Sequence, residues 1–165
     1  MIKVSFRDNF KKVQTFNDKM IVVTLTGKML CPDPMSDFLP TKVHEWINHH
    51  QSIEVSESFM QSGLYYIIES SGKSICADGD TFDAKIGERI AESRAKIKLY
   101  KFMHTLCEKL MYCYYGYIYG VPEGRGTFKT TTLSDYHGGL QDACRKYAEL
   151  WVKESRHLDT LLNEE

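Results

Sequence analysis

Apolar and β-branched residues run or alternate over Ile2–Phe6 and Met20–Thr26, and a Gly27-Lys28 step leads into Met29-Leu30-Cys31; this predicts strands and a hairpin. Cys31-Pro32-Asp33-Pro34 ends the pattern, because proline has no N–H for a ladder. Past Pro40, Thr41 is placed to cap a short helix through about His50, with Val43, Trp46 and Ile47 on one face. Val55–Met60 reads as a further strand. Leu64–Glu69 reads as a strand covered on both faces, Ser71-Gly72-Lys73 as its turn, and Ser74–Ala77 as the returning strand.

Downstream the period changes to that of a helix. At about 100° per residue, Ile86, Ile90 and Ile97 share one side, while Leu99, Met103, Leu106, Cys107, Leu110 and Tyr114 gather on nearly the opposite side. Such a helix buries two faces: its first three turns are expected on the sheet, and the rest projects or kinks near Lys98. Tyr136, Leu140, Ala143, Tyr147, Leu150, Trp151, Leu158 and Leu161 form a heptad-like stripe that supplies the second partner. Helices over roughly 99–117 and 134–162 are therefore expected to pair antiparallel.

The fold class is α+β: a small antiparallel sheet with a short helix, then a long helix and a C-terminal antiparallel helical hairpin. Residues 1–97 form the αβ domain and 98–165 a helical extension packed on it as one structural unit. The C-terminal helix reads as the longer arm. Its overhang, with Trp151, Leu158 and Leu161, is the expected homodimer contact.

Composition narrows the classes. The chain has 165 residues, 42% hydrophobic and 26% charged, with a net charge of -1, which fits one sizeable core and points to no polyanionic partner. No run approaches the roughly 18 apolar residues of a membrane span, and the N-terminal stretch lacks a signal-peptide core, so no membrane partner and a cytoplasmic location are expected. Five cysteines (Cys31, Cys76, Cys107, Cys113, Cys144) without a C-x-x-C pair point to reduced thiols.

Two weaker patterns follow. Gly27-Lys28-x-Leu30-Cys31-x-Asp33 and Gly72-Lys73-x-Ile75-Cys76-x-Asp78 share turn, thiol and acid at one spacing, which two ordinary hairpins with similar turns also produce. In Asp78-Gly79-Asp80-Thr81-Phe82-Asp83, Asp80 or Thr81 is suited to cap the helix, with Asp83 in its first turn against the positive end of the dipole. A calcium loop would need a longer ligand series, and Phe82 stands where a ligand is wanted. No metal and no cofactor are expected.

Gly72, Cys76, Asp78, the Asp80–Asp83 run, Ile86-Gly87, Ile90-Ala91 and Arg94-Ala95 resemble a small module common in bacteriophage and prophage proteins. There a strand ends in Cys-x-Pro-x-Asp-x-Phe-Asp and enters a helix with Gly and Ala-Arg-Ala. The match covers about a sixth of the chain. The resemblance implies a double-stranded-RNA-binding-domain-like αβ unit, a phage or mobile-element origin in the host bacterial cytoplasm, and no enzymatic activity. Here Ala77-Asp78-Gly79 replaces the usual proline, and the basic helix start of RNA-binding domains is absent.

Tyr114, Tyr115, Tyr117 and Tyr119, with Arg125 and Lys129 in a glycine-flexed loop, are the candidate partner-binding surface, because tyrosine presents a large ring and a polar tip at low entropy cost. The same tyrosines equally suit an interface between hairpin and sheet. Catalytic patterns fall short. His44-Glu45 with His49 places the second histidine one residue late for a zinc pair on a helix; His104 and Cys107 are helical neighbours, but the thiol falls in the apolar stripe. His137-Gly138-Gly139 reads as a fraying helix start, and Gly124-Arg125-Gly126 lacks the lysine of a phosphate loop. The leading expectation is a non-catalytic accessory protein that binds a host or phage protein, an inhibitor of a host defence such as CRISPR being the role in view. The alternatives are a nucleic-acid-binding accessory using Lys85, Arg89 and Lys96, marked by salt dependence, and a small enzyme of unassigned reaction.

Overall fold

Strand β1 (Ser5–Phe16) turns into β2 (Met20–Cys31) through Asn17 and Asp18, whose φ angles are 51° and 50°, and the Lys19 N–H donates to the Phe16 carbonyl over 3.2 Å. Asn and Asp tolerate this left-handed backbone better than other non-glycine residues, so these two residues set the hairpin. The computed structural model describes residues 5–31, 46, 53–57, 64–119 and 130–163. β3 (Ile53–Glu57) and β4 (Leu64–Ile75) complete a four-stranded antiparallel sheet in the order β1-β2-β4-β3. Helix α1 (Ala84–Tyr119) and helix α2 (Thr130–Asn163) follow. The α+β expectation holds, with two long helices among the described residues.

Both expected mid-segment turns are absent. Gly27-Lys28 and Ser71-Gly72-Lys73 lie inside straight strands of 12 residues each, which pair with one another from Met20↔Ile75 to Cys31↔Leu64. The glycines make room instead of bending the chain. A Cβ on Gly27 would lie 1.8 Å from the Phe6 ring, and one on Gly72 would lie 2.1 Å from the Ala91 carbonyl oxygen and 2.5 Å from the Ala95 nitrogen. The repeated Gly-Lys spacing thus belongs to two neighbouring strands. Leu25 pairs with Ser70, Val23 with Gly72 and Gly27 with Ile68, so a local two-fold through the Leu25–Ser70 pair exchanges the two glycines.

Alternation divides the sheet into two faces. Ile21, Val23, Leu25, Gly27 and Met29 of β2 are buried, as are Ile68 and Gly72 of β4, and this inner face carries α1. Ile21, Val23 and Leu25 form one core cluster with Ala91 and Ala95, and Phe82 packs against it. Small residues thus make part of the contact to the sheet, and of the isoleucine row Ile90 is buried while Ile86 and Ile97 are half-buried. Close approach lets side chains of α1 reach the backbone of β4: Arg94 donates to the Lys73 carbonyl at 2.7 Å, Lys98 to the Ser71 carbonyl at 2.9 Å, and the Ser70 hydroxyl to the Ala95 carbonyl at 2.9 Å.

Helix α1 runs its 36 residues, roughly 54 Å, through Lys98 without a break, so the boundary expected at residue 97 falls inside one continuous element. Its buried stripe Leu99, Met103, Leu106, Cys107 and Leu110 receives α2, whose Leu140, Ala143, Tyr147 and Leu161 are buried. The pairing is antiparallel: Glu154 acts on Lys96, Lys101 lies 5.6 Å from the Trp151 ring, and Cys107 meets Cys144. At this register α2, 34 residues long, lies alongside α1 to its end, and the expected overhang does not exist. Leu161 is 2% exposed, Trp151 and Leu158 are half-buried, and none of the three stands on a projecting end. Trp46, helical as expected for the 41–50 segment and its one described residue, stacks on Phe102 of α1 at 4.9 Å. No helix among the described residues is long and apolar enough to cross a membrane.

Gly72→Ala must lift α1 off β4, and we expect a loss of about 3 kcal/mol in urea unfolding. Gly138→Ala, at a helical position where an added Cβ meets nothing within 4 Å, should instead stabilise by about 1 kcal/mol. Equal effects at the two glycines would refute the close-approach account.

Candidate functional site

The strand-to-helix passage after β4 is built by short-range chemistry. The Cys76 N–H donates to the Lys19 carbonyl at 2.8 Å, which ties the strand end to the first hairpin. Gly79, at φ 96°, turns the chain where a side chain would be strained, and the Asp80 N–H closes the turn on the Ala77 carbonyl at 3.2 Å. Asp83, and not Asp80 or Thr81, is the N-cap. Its carboxylate accepts from the Lys85 and Ile86 N–H groups at 2.9 and 3.2 Å, and its carbonyl accepts from Gly87 at 2.9 Å. Asp78, on the exposed turn, meets Lys19 at 3.0 Å. The acids of this loop thus have separate tasks, and among the described residues no three His, Cys, Asp or Glu side chains gather as a metal-binding group would.

Most residues that carry the phage-module resemblance have a packing task here. Gly72 admits the helix, Asp83 caps it, and a Cβ on Gly87 would sit 3.0 Å from Ile21. Ala91 and Ala95 lie on the sheet, and Arg94 holds the Lys73 carbonyl. The motif is a recipe for laying a helix across a strand.

Among the described residues, two adjoining surfaces are candidates for binding. One is a cleft of about 370 Å³ between the end of β4 and the first turn of α1, lined by Ile75, Cys76, Asp80, Phe82, Ile86 and neighbours. The Cys76 thiol lies 3.5 Å from the Asp80 carbonyl and 3.6 Å from that of Ala77. The other surface is the outer face of the sheet, opposite α1. Register places Phe16, Met20 and Ile75 side by side across β1, β2 and β4, and Phe16 and Ile75 are 41% and 60% exposed. Phe10 on the same face is 61% exposed, and Thr24 and Ser71 share a hydroxyl hydrogen bond of 2.9 Å between the two apolar ends. Cleft and face meet at Ile75.

The electrostatics separate the faces. On the inner side, Lys11 of the edge strand reaches Glu88 at 2.8 Å and Glu92 at 2.6 Å of α1, and Glu92 also holds Lys96 at 3.2 Å. Hydrogen bonds that Lys11 donates to Glu88 and Glu92 raise its pKa above the usual value. Burial works to raise the Glu92 pKa, but bonds from Lys11 and Lys96 outweigh it and hold the carboxyl below the ordinary range. Burial works to lower the Lys96 pKa, and Glu92 together with Glu154 leaves it raised. The outer face carries Arg7, Lys12, Lys28 and Lys73 by register, with Glu69 its acid among the described side chains.

The sequence-derived candidates are dispersed. Lys85 and Arg89 are exposed on the first turns of α1, and Lys96 is engaged by Glu92. Tyr114, Tyr115, Tyr117 and Tyr119 fall on the last turns of α1; their side chains, with Arg125 and Lys129, lie outside the described residues, as do His44, His49 and Gly124–Gly126. The His104 ring faces Glu108 at 3.9 Å and Trp151 at 6.4 Å, while Cys107 pairs with Cys144. His137-Gly138-Gly139 is helical, seven residues inside α2 and not at its start. The outer-face residues Phe10, Lys12 and Phe16 escaped notice because β1 is an edge strand, whose alternation is diluted by charge. Comparison with protein-family models, curated proteins and solved structures finds no match to this chain.

Asp83→Ala should cost about 1 kcal/mol of stability, and Asp80→Ala less than about 0.5 kcal/mol. Since the folded pKa of Glu92 is depressed, its contribution is present at neutral pH and lost as pH falls through the folded value. Glu92→Gln should therefore be less stable than wild type by about 0.5 to 1 kcal/mol at pH 7, and the difference should shrink as pH falls below the ordinary carboxylate range. The Lys11 pKa is raised, so its contribution persists below its usual 10.5 and fades only above it. Urea titrations across pH check both signs.

Proposed function

We propose that this chain is a non-catalytic accessory protein that binds a partner protein through the outer face of its sheet, around the Phe16–Met20–Ile75 row. The observation that carries the reading is the exposure of large apolar side chains in one contiguous row, on a face that neither helix covers. Isolated exposed apolar residues are ordinary, whereas a contiguous row beside a cleft is the form of a protein contact, with a partner side chain seated in the cleft as its anchor. Lys73 beside the row, with Lys12 farther along the same face, calls for a partner surface that is apolar where it meets the row and acidic next to it. The resemblance around residues 71–96 supports a bacteriophage or mobile-element accessory protein, with inhibition of a host defence such as CRISPR as the role.

A second reading rests on the same face. Basic residues interleaved with Phe10 and Phe16 are also the makings of a single-stranded nucleic-acid platform, with phosphates on the cations and bases on the rings.

Phe16→Ser combined with Ile75→Ser should keep thermal stability within about 1 kcal/mol and abolish capture of the partner from bacterial lysate. Retained capture by a folded double variant would remove the proposed surface. A fluorescent oligothymidine separates the readings: tight binding that weakens steeply with salt and is lost in Lys12→Glu with Lys73→Glu would favour the nucleic-acid reading and displace the protein one.

A further inference from the structure

Cys107 and Cys144 face each other across the two helices. The Cys144 sulfur lies 3.7 Å from the His104 carbonyl oxygen, three residues before Cys107 on α1. A helical side chain leans back over the turn N-terminal to it, so the Cys107 sulfur points into the space where Cys144 arrives. The two thiols are hydrogen-bonded neighbours. Their settings differ in a useful way: Cys107 is fully buried, and Cys144 is half-buried at the rim of the helix interface. The hydrogen bond from Cys107 lowers the Cys144 pKa, against the opposing effects of burial and Glu108, and so favours the thiolate on the sulfur that solvent reaches.

We infer that Cys107 and Cys144 form an oxidisable dithiol that low-molecular-weight disulfides convert into an interhelical disulfide. The Cys144 thiolate attacks one sulfur of the reagent RSSR, forming a mixed disulfide and expelling RS⁻. The Cys107 thiol then gives up its proton and its sulfur attacks Cys144 Sγ, forming the Cys107–Cys144 bond and expelling the second RS⁻. The two thiol protons end on the two RS⁻ groups, so the protein loses two electrons and RSSR becomes two RSH. The product joins the sheet-bearing helix to the second long helix in the middle of their contact, and adds a covalent link to a pairing held by non-covalent contacts in the reduced form. The half-buried Cys76 has no such partner thiol among the described residues.

The test uses the full chain and glutathione disulfide. Intact mass should fall by about 2 Da, non-reducing digestion should yield a peptide joining Cys107 to Cys144, and the melting temperature should rise by roughly 10 °C, all reversed by dithiothreitol. Cys107→Ala should stop at a stable glutathione adduct on Cys144, and Cys144→Ser should leave Cys107 unmodified. The wild-type peptide map decides the matter even where a variant folds poorly. A persistent adduct on wild-type Cys144, a linkage to any other cysteine, or no reaction would overturn the proposal.

Discussion

The approach of α1 to β4 at Gly72 governs the arrangement of every other element. With an added Cβ falling 2.1 Å from a helix carbonyl, the backbone of α1 lies as near the sheet as backbone can. Small residues, Gly87, Ala91 and Ala95, lie against the sheet, and this distance brings Arg94, Lys98 and Ser70 into hydrogen-bond range across the interface. Once α1 is seated at that depth its opposite stripe points away from the sheet, and α2 finds its place there. The molecule is therefore a sequence of layers, sheet then α1 then α2, and not a sheet sandwiched between helices. Among the described residues both helices lie on one side of the sheet, which leaves Phe10, Phe16 and Ile75 exposed on the other.

The fold class, the antiparallel helix pair and the buried stripes of both helices were legible, since each rests on a long period that tertiary context reinforces. Leu99, Met103, Leu106 and Leu110 against Leu140, Ala143 and Tyr147 were readable from spacing alone. The turns were not. A glycine beside a lysine looks the same whether the chain bends there or a neighbour needs the space, and at Gly27 and Gly72 the neighbour is distant in sequence: Phe6 above one, Ala91 above the other. The real turn at Asn17-Asp18 carried a signal in its residue types, but the charged edge strand before it hid the hairpin it closes.

The candidate site was less legible than the fold. The acidic loop drew attention because carboxylates were clustered in sequence, yet in space Asp83 caps the helix and Asp78 turns outward to Lys19. Conversely, the row Phe16–Met20–Ile75 is assembled from three strands, and no window of sequence contains it. The Cys107–Cys144 contact is of the same kind, since one thiol was visible as part of an apolar stripe and its partner only through the register of the two helices.

Layering also dictates the order in which the chain becomes self-sufficient during synthesis. β4 and α1 leave the ribosome together and can dock at once through Gly72, but the far stripe of α1 has to wait for α2, which is made after it. Until then Leu99, Met103, Leu106 and Leu110 form a bare ridge on an otherwise seated helix, the kind of transient apolar surface that chaperones hold and that aggregates otherwise. A chain arrested in the connection between the helices has its sheet covered on one side and its ridge exposed, so translation stalling there hands quality control an intermediate that is structured enough to persist and sticky enough to be recognised.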